Sequence, residues 1–460
     1  MPSFKGLVLA AGMGKRMNSK KAKALHEVCG IPILDHIIKA LTSAGATEVV
    51  VVVGHEGNQI VDHLDGKYPV VWQHEQLGTG HATMQAEEIF SDYSGNILVM
   101  PGDTPLIRPE TISQLVMSQQ DTKSETSFLT LELDDPRAYG RIVRDKHGKF
   151  LSITEYKEAT DAIKAIKEVN SGIYCFNSNI LFKELKSITN KNEQGEYYLT
   201  DVLQNIDDVN IVRIKDATEG MGVNSKVELS QAESVMRERK CLSLMEEGVT
   251  IIDPKSTFVD SNVVVGNDTV LFPFTYIKGE TTIGSDCVIG PNANITDCII
   301  GDNNRIKECH IISSEIGNNC DVGPYCYIRP GSQIHNNVKI GDFVEIKNSK
   351  VGEGSKVPHL SYIGDSVIGK QVNVGCGSIT CNYDGAKKYH TVIEDGAFIG
   401  SNSNLIAPVI IGKDAYIASG STITEDVPAK ALAIARSKQQ NKDGWTLKKK
   451  QISKIEIKED

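Results

Sequence analysis

Aromatic residues are scarce in this chain. Phe, Trp and Tyr make 6% of its 460 residues, with two tryptophans in all. That scarcity excludes a core organised around stacked rings and points to aliphatic packing. Positive charge is not in excess either: 49 Lys and Arg stand against 59 Asp and Glu, a formal charge of −10. An overall electrostatic pull toward nucleic acid is thereby excluded. The one basic cluster, Lys448 to Lys450, lies in a polar C-terminal stretch and reads as a solvated tail. No apolar run approaches the roughly 18 residues of a membrane span. Met1 to Met17 lacks the layout of a secretion signal. The ten cysteines contain no Cys-x-x-Cys pair. Without a secretion signal they read as reduced, small core or corner residues of a cytoplasmic protein.

Isoleucine, valine and leucine, by contrast, recur every sixth residue through most of the second half. One run is Val259, Val265, Leu271, Ile277, Ile283, Ile289, Ile295. A second is Ile316, Val322, Ile328, Ile334, Ile340, Ile346, and a third Ile393, Ile399, Leu405, Ile411, Ile417, Ile423. Glycine follows many of them, as at Gly266, Gly284, Gly290, Gly317, Gly323, Gly341, Gly400 and Gly412. This period matches neither a helix nor a flat strand. It is the hexapeptide signature of a parallel β-helix, with aliphatic side chains inward and glycine or small polar residues at the corners. At about 18 residues per three-sided coil, Val259 to Ile423 makes roughly nine coils, about 45 Å long at one strand spacing per coil. The period slips at Ile295 to Ile300 and at Ile346 to Val351. A polar excursion, Thr380 to His390, interrupts it once, and such departures from a regular scaffold often carry function.

Residues 1–226 alternate strand and helix signals instead. Leu7 to Ala11, Glu48 to Val53 and Ile97 to Met100 read as buried strands, and Ile33 to Ala44 as an amphipathic helix. Continuous apolar strands between helices predict a parallel sheet covered on both faces, an α/β domain. Residues 227–249 read as a linking helix ending at Gly248, with Val227, Ala232, Met236, Arg239 and Leu242 at helical spacing. The β-helix then takes residues 250–434, and 435–460 form a polar tail with one aromatic, Trp445.

The candidate chemistry falls into two groups. In the first, Leu9-Ala10-Ala11-Gly12-Met13-Gly14-Lys15-Arg16-Met17 follows a buried strand. Its glycines let backbone N–H groups approach a polyphosphate, and Lys15 and Arg16 add charge. It is neither a dinucleotide fingerprint nor a Walker A loop, and alone it is consistent with a structural turn. Lys23 could neutralise a phosphate. Gln73 and Gln76-Leu77-Gly78-Thr79-Gly80-His81 carry amide and hydroxyl groups suited to reading a base. Asp103, just past a strand end, is a candidate magnesium ligand.

These residues, with the hexapeptide region, resemble the nucleotidyltransferase domain of sugar-nucleotide pyrophosphorylases. Over nearly the whole chain they resemble the bacterial bifunctional N-acetylglucosamine-1-phosphate uridylyltransferase/glucosamine-1-phosphate acetyltransferase family. Tyr139-Gly140-Arg141-Ile142, Glu155, Asn170-Ser171-Gly172 and Gly222-Val223-Asn224, in that order, carry the specific part of the resemblance. It implies a Rossmann-like N-terminal domain and a left-handed β-helix. It also implies that Leu9, Ala10, Gly12 and Lys23 meet the nucleotide and its phosphates, and Gln73, Gly78 and Thr79 the uracil and ribose. Gly140, Glu155 and Asn170 would hold the amino sugar, and Asp103 and Asn224 a Mg²⁺ ion. Asn224 is counted with the nucleotide-sugar contacts as well. Where the family usually carries proline before the lysine, this chain has Ala22.

The second group lies on the repeat. Arg329, Lys347, His359 and Tyr362 crowd one stretch, and Asn382-Tyr383-Asp384-Gly385 with Lys387 and Lys388 fill the excursion. Acetyl transfer to an amine needs that amine unprotonated, and an imidazole can take its proton near neutrality. Lys356-Val357-Pro358-His359-Leu360-Ser361-Tyr362-Ile363-Gly364-Asp365 resembles the family's acetyltransferase motif and marks His359 as the base. The resemblance implies that Arg329, Lys347 and Lys388 bind the sugar phosphate, with Tyr362 and Asn373 on the sugar. Cys376, Asn382, Tyr383, Ser401, Ser419 and Arg436 would line the path of acetyl-CoA. Cys376, where the family commonly has alanine, reads as a small filler. From the residues alone a stalk or a zinc-dependent carbonic anhydrase on the same repeat remains open, although no two of His310, His335, His359 and His390 lie within twenty residues. The expected protein is a cytoplasmic homotrimer that binds neither nucleic acid nor membrane. Its expected substrates are glucosamine 1-phosphate, acetyl-CoA, UTP and N-acetylglucosamine 1-phosphate, and its product is a cell-wall precursor.

Overall fold

The computed structural model describes residues 3–136 and 138–456, with side chains to residue 450. The chain divides into two compact units. The first runs to Ser243 and takes in Val259–Asn262; the second holds Leu244–Phe258 and the chain from Val263 onward.

In the first unit a seven-strand path has the order Val209–Arg213, Thr126–Glu132, Glu168–Asn177, Asn96–Pro101, Phe4–Leu9, Ala46–Val53, Val70–Trp72. Phe4–Leu9 pairs in parallel with both its neighbours. Side chains alternate between two buried cores, Leu7, Val50 and Val99 on one face and Val8, Val51 and Leu98 on the other. That is why the strands read as unbroken apolar runs. The expected parallel sheet is in fact mixed, because Glu168–Asn177 is antiparallel to both strands beside it. The chain leading into it passes through the hairpin Arg141–Arg144 and Phe150–Thr154 and a four-residue helix, Asp161–Lys164. A parallel neighbour would need a full crossover instead. The first strand also ends two residues earlier than expected, at Leu9, which leaves Ala10 and Ala11 in the loop at its carboxyl end.

The helix expected to link the domains spans Lys226–Glu246, and as far as Ser243 it belongs to the first unit. Gly248, at φ +95°, donates its N–H to the Met245 carbonyl, and Val249 to that of Leu244. This left-handed cap is what ends the helix. Its expected apolar face is displaced: Val227 and Leu242 are exposed, and the packed stripe runs through Leu229, Ala232, Val235 and Met236.

The second unit is a parallel β-helix of three sheets with 11, 10 and 9 strands. Each short strand pairs with the one a coil later, as in Val270 with Val288 and Leu271 with Ile289. The aliphatic residues of all three sequence runs are buried between the sheets. Ten strands in one sheet, from Phe258–Val259 to Thr422–Ile423, mark nine coils. The slips are shortened coils: Ile295 pairs with Ile311 and Ile346 with Ile363. The polar excursion lengthens one coil, so that Thr380 pairs with Leu405.

The glycines do a different job from the one expected. Most of them continue the ladder, and left-handed backbone falls two residues later, at Asp268, Asp286, Asn303, Asn319 and Asp414. Glycine is required because the next coil is too close. A Cβ at Gly266 would stand 2.6 Å from the Gly284 carbonyl carbon, and one at Gly341 would overlap the Pro358 carbonyl oxygen. Eight of the ten cysteines are buried packing residues, and Cys376 and Cys381 are partly exposed. The tail carries a helix, Trp445–Glu456, with Trp445 exposed. Its last four residues lie outside the described region. Among the described residues no helix is long and apolar enough to cross a membrane.

Candidate functional site

Two sites emerge, one in each unit. In the first unit the strand-end loops enclose a cavity of about 430 Å³. Its lining includes ten of the expected residues: Leu9, Ala10, Gly12, Lys23, Gln73, Gly78, Thr79, Asp103, Glu155 and Asn170. Ligands of open α/β sheets bind at such carboxyl ends. Gly78 adopts φ +103°, and a Cβ there would stand 2.5 Å from the Tyr197 carbonyl oxygen, so the loop can pass only with glycine. Gln73 is buried and its amide donates to the Gly78 carbonyl at 3.0 Å. The Thr79 hydroxyl accepts from the Leu199 N–H at 3.1 Å, which ties a distant loop to the cavity wall.

Lys23 joins the two expected metal ligands. Its Nζ donates to Asp103 Oδ2 at 2.6 Å and to Asn224 Oδ1 at 3.0 Å. Two oxygens facing one ammonium are two oxygens able to face one metal cation. The Val223 N–H donates to the Asp103 carbonyl at 2.8 Å and holds the two loops together. A carboxylate and an amide oxygen are hard donors, and a pair so small suits an ion that retains water. Among the described residues no group of three or more His, Cys, Asp or Glu is placed to hold a metal. The donor set fits a hard divalent cation and not a closed zinc site.

Gly140 and Asn224 stand outside the cavity wall. The Gly140 carbonyl accepts from the Asn170 N–H at 2.9 Å. Asn170 Oδ1 accepts from the Gly172 N–H at 3.1 Å, and its Nδ2 donates to the Tyr174 hydroxyl at 2.6 Å. Burial, and after it the charges of Glu158, Asp201 and Glu196, push the Glu155 carboxyl above its ordinary range. Lys15 and Arg16 are exposed and not part of the lining. Tyr174, Glu196 and Tyr198 line the cavity without having been anticipated. Tyr174 sits past an irregularity in its strand, after Asn170, and the other two come from a loop with no motif.

On the β-helix, His359 ends the strand Lys356–His359, and Asp342 ends Lys339–Asp342 one coil earlier. The register pairs them, and Nδ1 of His359 lies 2.5 Å from Asp342 Oδ1. The imidazole hydrogen bond holds the Asp342 carboxyl below its usual range. A carboxylate on Nδ1 assigns the proton to that nitrogen and leaves Nε2 as the acceptor. Asp342 was not anticipated, because only coil-to-coil register brings it to the histidine.

The same register places Cys376, Ser401 and Ser419 in successive coils along this edge. Asn373 pairs with Lys356 and Phe398, and Phe398 pairs with Tyr416; each site residue lies three positions further on. Beside this file runs the left-handed corner: Phe274, Asn292, Glu308, Tyr325, Phe343 and Leu360, then Gly377, Asn402 and Gly420. Phe274, Tyr325, Phe343 and Leu360 are exposed. The edge thus changes from bulky to small just past His359. Arg436 follows at the far end, where its Cδ would lie 3.7 Å from a Cβ on Gly420.

The expected sugar-phosphate cations gather on one face. Arg329 Nη1 lies 2.9 Å from Glu345 Oε1, and Lys347 Nζ 3.5 Å from Asp365 Oδ2. Lys388 reaches Lys347, and the hydrogen bond between them, then the Lys347 charge, hold the Lys388 ammonium below its ordinary range. Asp365 was not anticipated and organises the group. Burial opposes its charge, but hydrogen bonds from Asn348 and Asn382 and the Lys347 ammonium hold its carboxyl low. Asn382 Nδ2 lies 2.6 Å from Asp365 Oδ2 and 3.5 Å from the Tyr362 hydroxyl. Tyr383 is exposed, and its hydroxyl donates to the Gly385 carbonyl inside the excursion. Asn373 lies apart from this cluster, on the strand beside Lys356.

Known proteins match both units. A MobA-like NTP transferase domain matches residues 6–159, a bacterial transferase hexapeptide matches 262–297 and 390–425, and a GMPPB C-terminal domain matches 313–383. A bifunctional protein GlmU of Carboxydothermus hydrogenoformans is 51% identical over 446 residues, covering 96% of this chain and all of that protein. One from Clostridioides difficile is 49% identical over 453 residues, 98% of each chain. One from Brevibacillus brevis is 46% identical over 446 residues, 96% of this chain and 97% of that one.

Proposed function

Because this chain belongs to the family of bifunctional GlmU proteins, we propose that it makes UDP-N-acetylglucosamine in two steps at two separate sites. On the β-helix the amine of glucosamine 1-phosphate attacks the acetyl-CoA thioester. A C–N bond forms and the C–S bond breaks. His359 Nε2 takes the amine proton and passes it to the departing CoA sulfur. Asp342 keeps the imidazole in the accepting tautomer. Arg329, Lys347 and Lys388 hold the sugar phosphate, Tyr362 and Asn373 contact the sugar, and Asn382 and Tyr383 flank the thioester. The file of Cys376, Ser401 and Ser419 gives the CoA arm a shallow bed, with Arg436 available to its phosphates.

In the cleft the phosphate oxygen of N-acetylglucosamine 1-phosphate attacks the α-phosphorus of UTP and releases pyrophosphate. No protein nucleophile is needed, since the attacking group is already an anion. Lys23 and the backbone around Leu9, Ala10 and Gly12 offset the phosphate charge. Gln73, Gly78 and Thr79 read the uridine, and Gly140, Glu155 and Asn170 orient the sugar. Asp103 and Asn224 would hold Mg²⁺, which supplies charge neutralisation on the phosphates.

One observation carries the reading. A single chain holds a cleft in which two oxygens share one cation and, in its other unit, a hydrogen-bonded imidazole on a file of small residues. CoA release and pyrophosphate release, assayed separately, test it. Asp103→Ala should lose pyrophosphate release and keep acetyl transfer, and His359→Ala the reverse. If both folded variants lost both activities, the two-site reading would be wrong.

The exposed ladder of Phe274, Tyr325, Phe343 and Leu360 supports assembly of several copies; the assembly we propose is a homotrimer, and the compartment the cytoplasm. Bulky residues in left-handed backbone cost roughly 1–3 kcal/mol each, a cost explained if their side chains are covered by a neighbour. Sedimentation should give a trimer, and a monomer at micromolar concentration would refute this.

A further inference from the structure

The segment that delivers Lys23 to the cleft, Asn18 to Ala22, has no helix or strand of its own. Part of its order comes from a side chain on the helix Gly57–Leu64. Gln59 Oε1 accepts from the Ala22 N–H at 2.9 Å, and its Nε2 donates to the Lys20 carbonyl at 2.8 Å. Nε2 also lies 2.7 Å from Glu56 Oε2. The orientation of this amide is forced, since a peptide N–H can only donate and a peptide carbonyl can only accept. One side chain thus clamps two peptide groups immediately ahead of Lys23. A lysine carries its charge on a long flexible stem, so the reach of Nζ to a phosphate depends on where the backbone is held.

We propose that Gln59 is a positioning residue for uridylyl transfer, fixing the backbone from which Lys23 meets the nucleotide phosphates. This rests on the reading of Lys23 as a phosphate ligand. Ala22 is buried, so removing Gln59 leaves its N–H without that acceptor in a place water reaches poorly. Ala22 has φ −52°, within the range a proline ring enforces. Ala22→Pro therefore deletes the donor and stiffens the same segment by a covalent route.

The test uses the full chain. Gln59→Ala should lower kcat/KM for UTP in the pyrophosphate-release assay about five- to tenfold, with acetyl transfer unchanged and the thermal midpoint of the sheet unit lower by about 2–4 °C. Adding Ala22→Pro should restore it to within about twofold of the parent. In a Lys23→Ala background, Gln59→Ala should weaken UTP binding no further, because both changes act through one contact. Parent-like kinetics in Gln59→Ala, loss of both activities, failure of Ala22→Pro to restore, or additive losses with Lys23→Ala would each overturn the proposal. If Lys23→Ala itself left UTP binding and turnover intact, the reading of Lys23 would fail first.

Discussion

The two units build sites by opposite means. In the sheet unit the site residues span Leu9 to Asn224 in sequence and converge only because loops meet at the carboxyl ends of strands. On the β-helix the key partners are one coil apart, Asp342 to His359 or Lys347 to Asp365, and converge because strands stack in register. The first site is a partly enclosed cavity in which Lys23 pairs with Asp103. The second is an open edge where the imidazole and the corner residues face outward. Enclosure suits a reaction governed by electrostatics between anions, since low dielectric strengthens each charge contact. An edge suits a long, jointed co-substrate that must lie along several coils.

The comparison predicts that damage to one site stays there. The largest effect should come from His359→Ala, which should cost acetyl transfer about 10²- to 10⁴-fold with pyrophosphate release unchanged. Asp103→Ala should cost pyrophosphate release about a hundredfold or more with CoA release unchanged. Next, Asp342→Asn should exceed Asp342→Ala in damage, about a hundredfold against about tenfold in kcat for acetyl transfer. A carboxamide can donate to Nδ1, which moves the ring proton to Nε2 and abolishes the accepting nitrogen. Equal losses in the two variants would remove Asp342 from tautomer control. Lys388→Ala should raise KM for glucosamine 1-phosphate roughly tenfold while kcat holds; an unchanged KM would take Lys388 out of phosphate binding.

The smallest effect tests enclosure itself. Burial raises the Glu155 carboxyl. A carboxyl raised on folding weakens the fold while ionised, so this deficit is present at neutral pH and fades as pH falls through the raised value. Glu155→Gln should raise the thermal midpoint of the sheet unit by roughly 1–3 °C at pH 7 and by less at pH 5. An equal gain at both pH values would contradict the burial argument.

The two units also differ in how far the sequence discloses them. The inward Ile, Val and Leu of the β-helix were legible singly, because a fixed period leaves each no other place to point. The motif marked His359 as the expected base, but nothing marked Asp342 as its partner. Nothing local marks it, and only the 17-residue step between coils makes it a partner. In the sheet unit the glycine loops and strand ends were legible, whereas the direction of Glu168–Asn177 was not. Apolar pattern reports burial on both faces, and a strand looks the same run either way. The Gly248 cap marked where the helix ends, but Val227 and Leu242 were misplaced. A helix packed along a narrow stripe leaves apolar residues in water that pattern alone assigns to the core.

The unequal coil lengths have a consequence of their own. Ile295 meets Ile311 after sixteen residues, and Thr380 meets Leu405 after twenty-five, yet both pairs face inward in step. The surplus or deficit is absorbed at the turns. Insertions there can be grafted or trimmed without disturbing the phase of any later coil, so new chemistry can be hung on the outside while the interior is preserved. A single residue inserted within a face, between Lys339 and Asp342, would instead turn the partner of His359 away. Length is free at the bends of this scaffold and fixed along its walls.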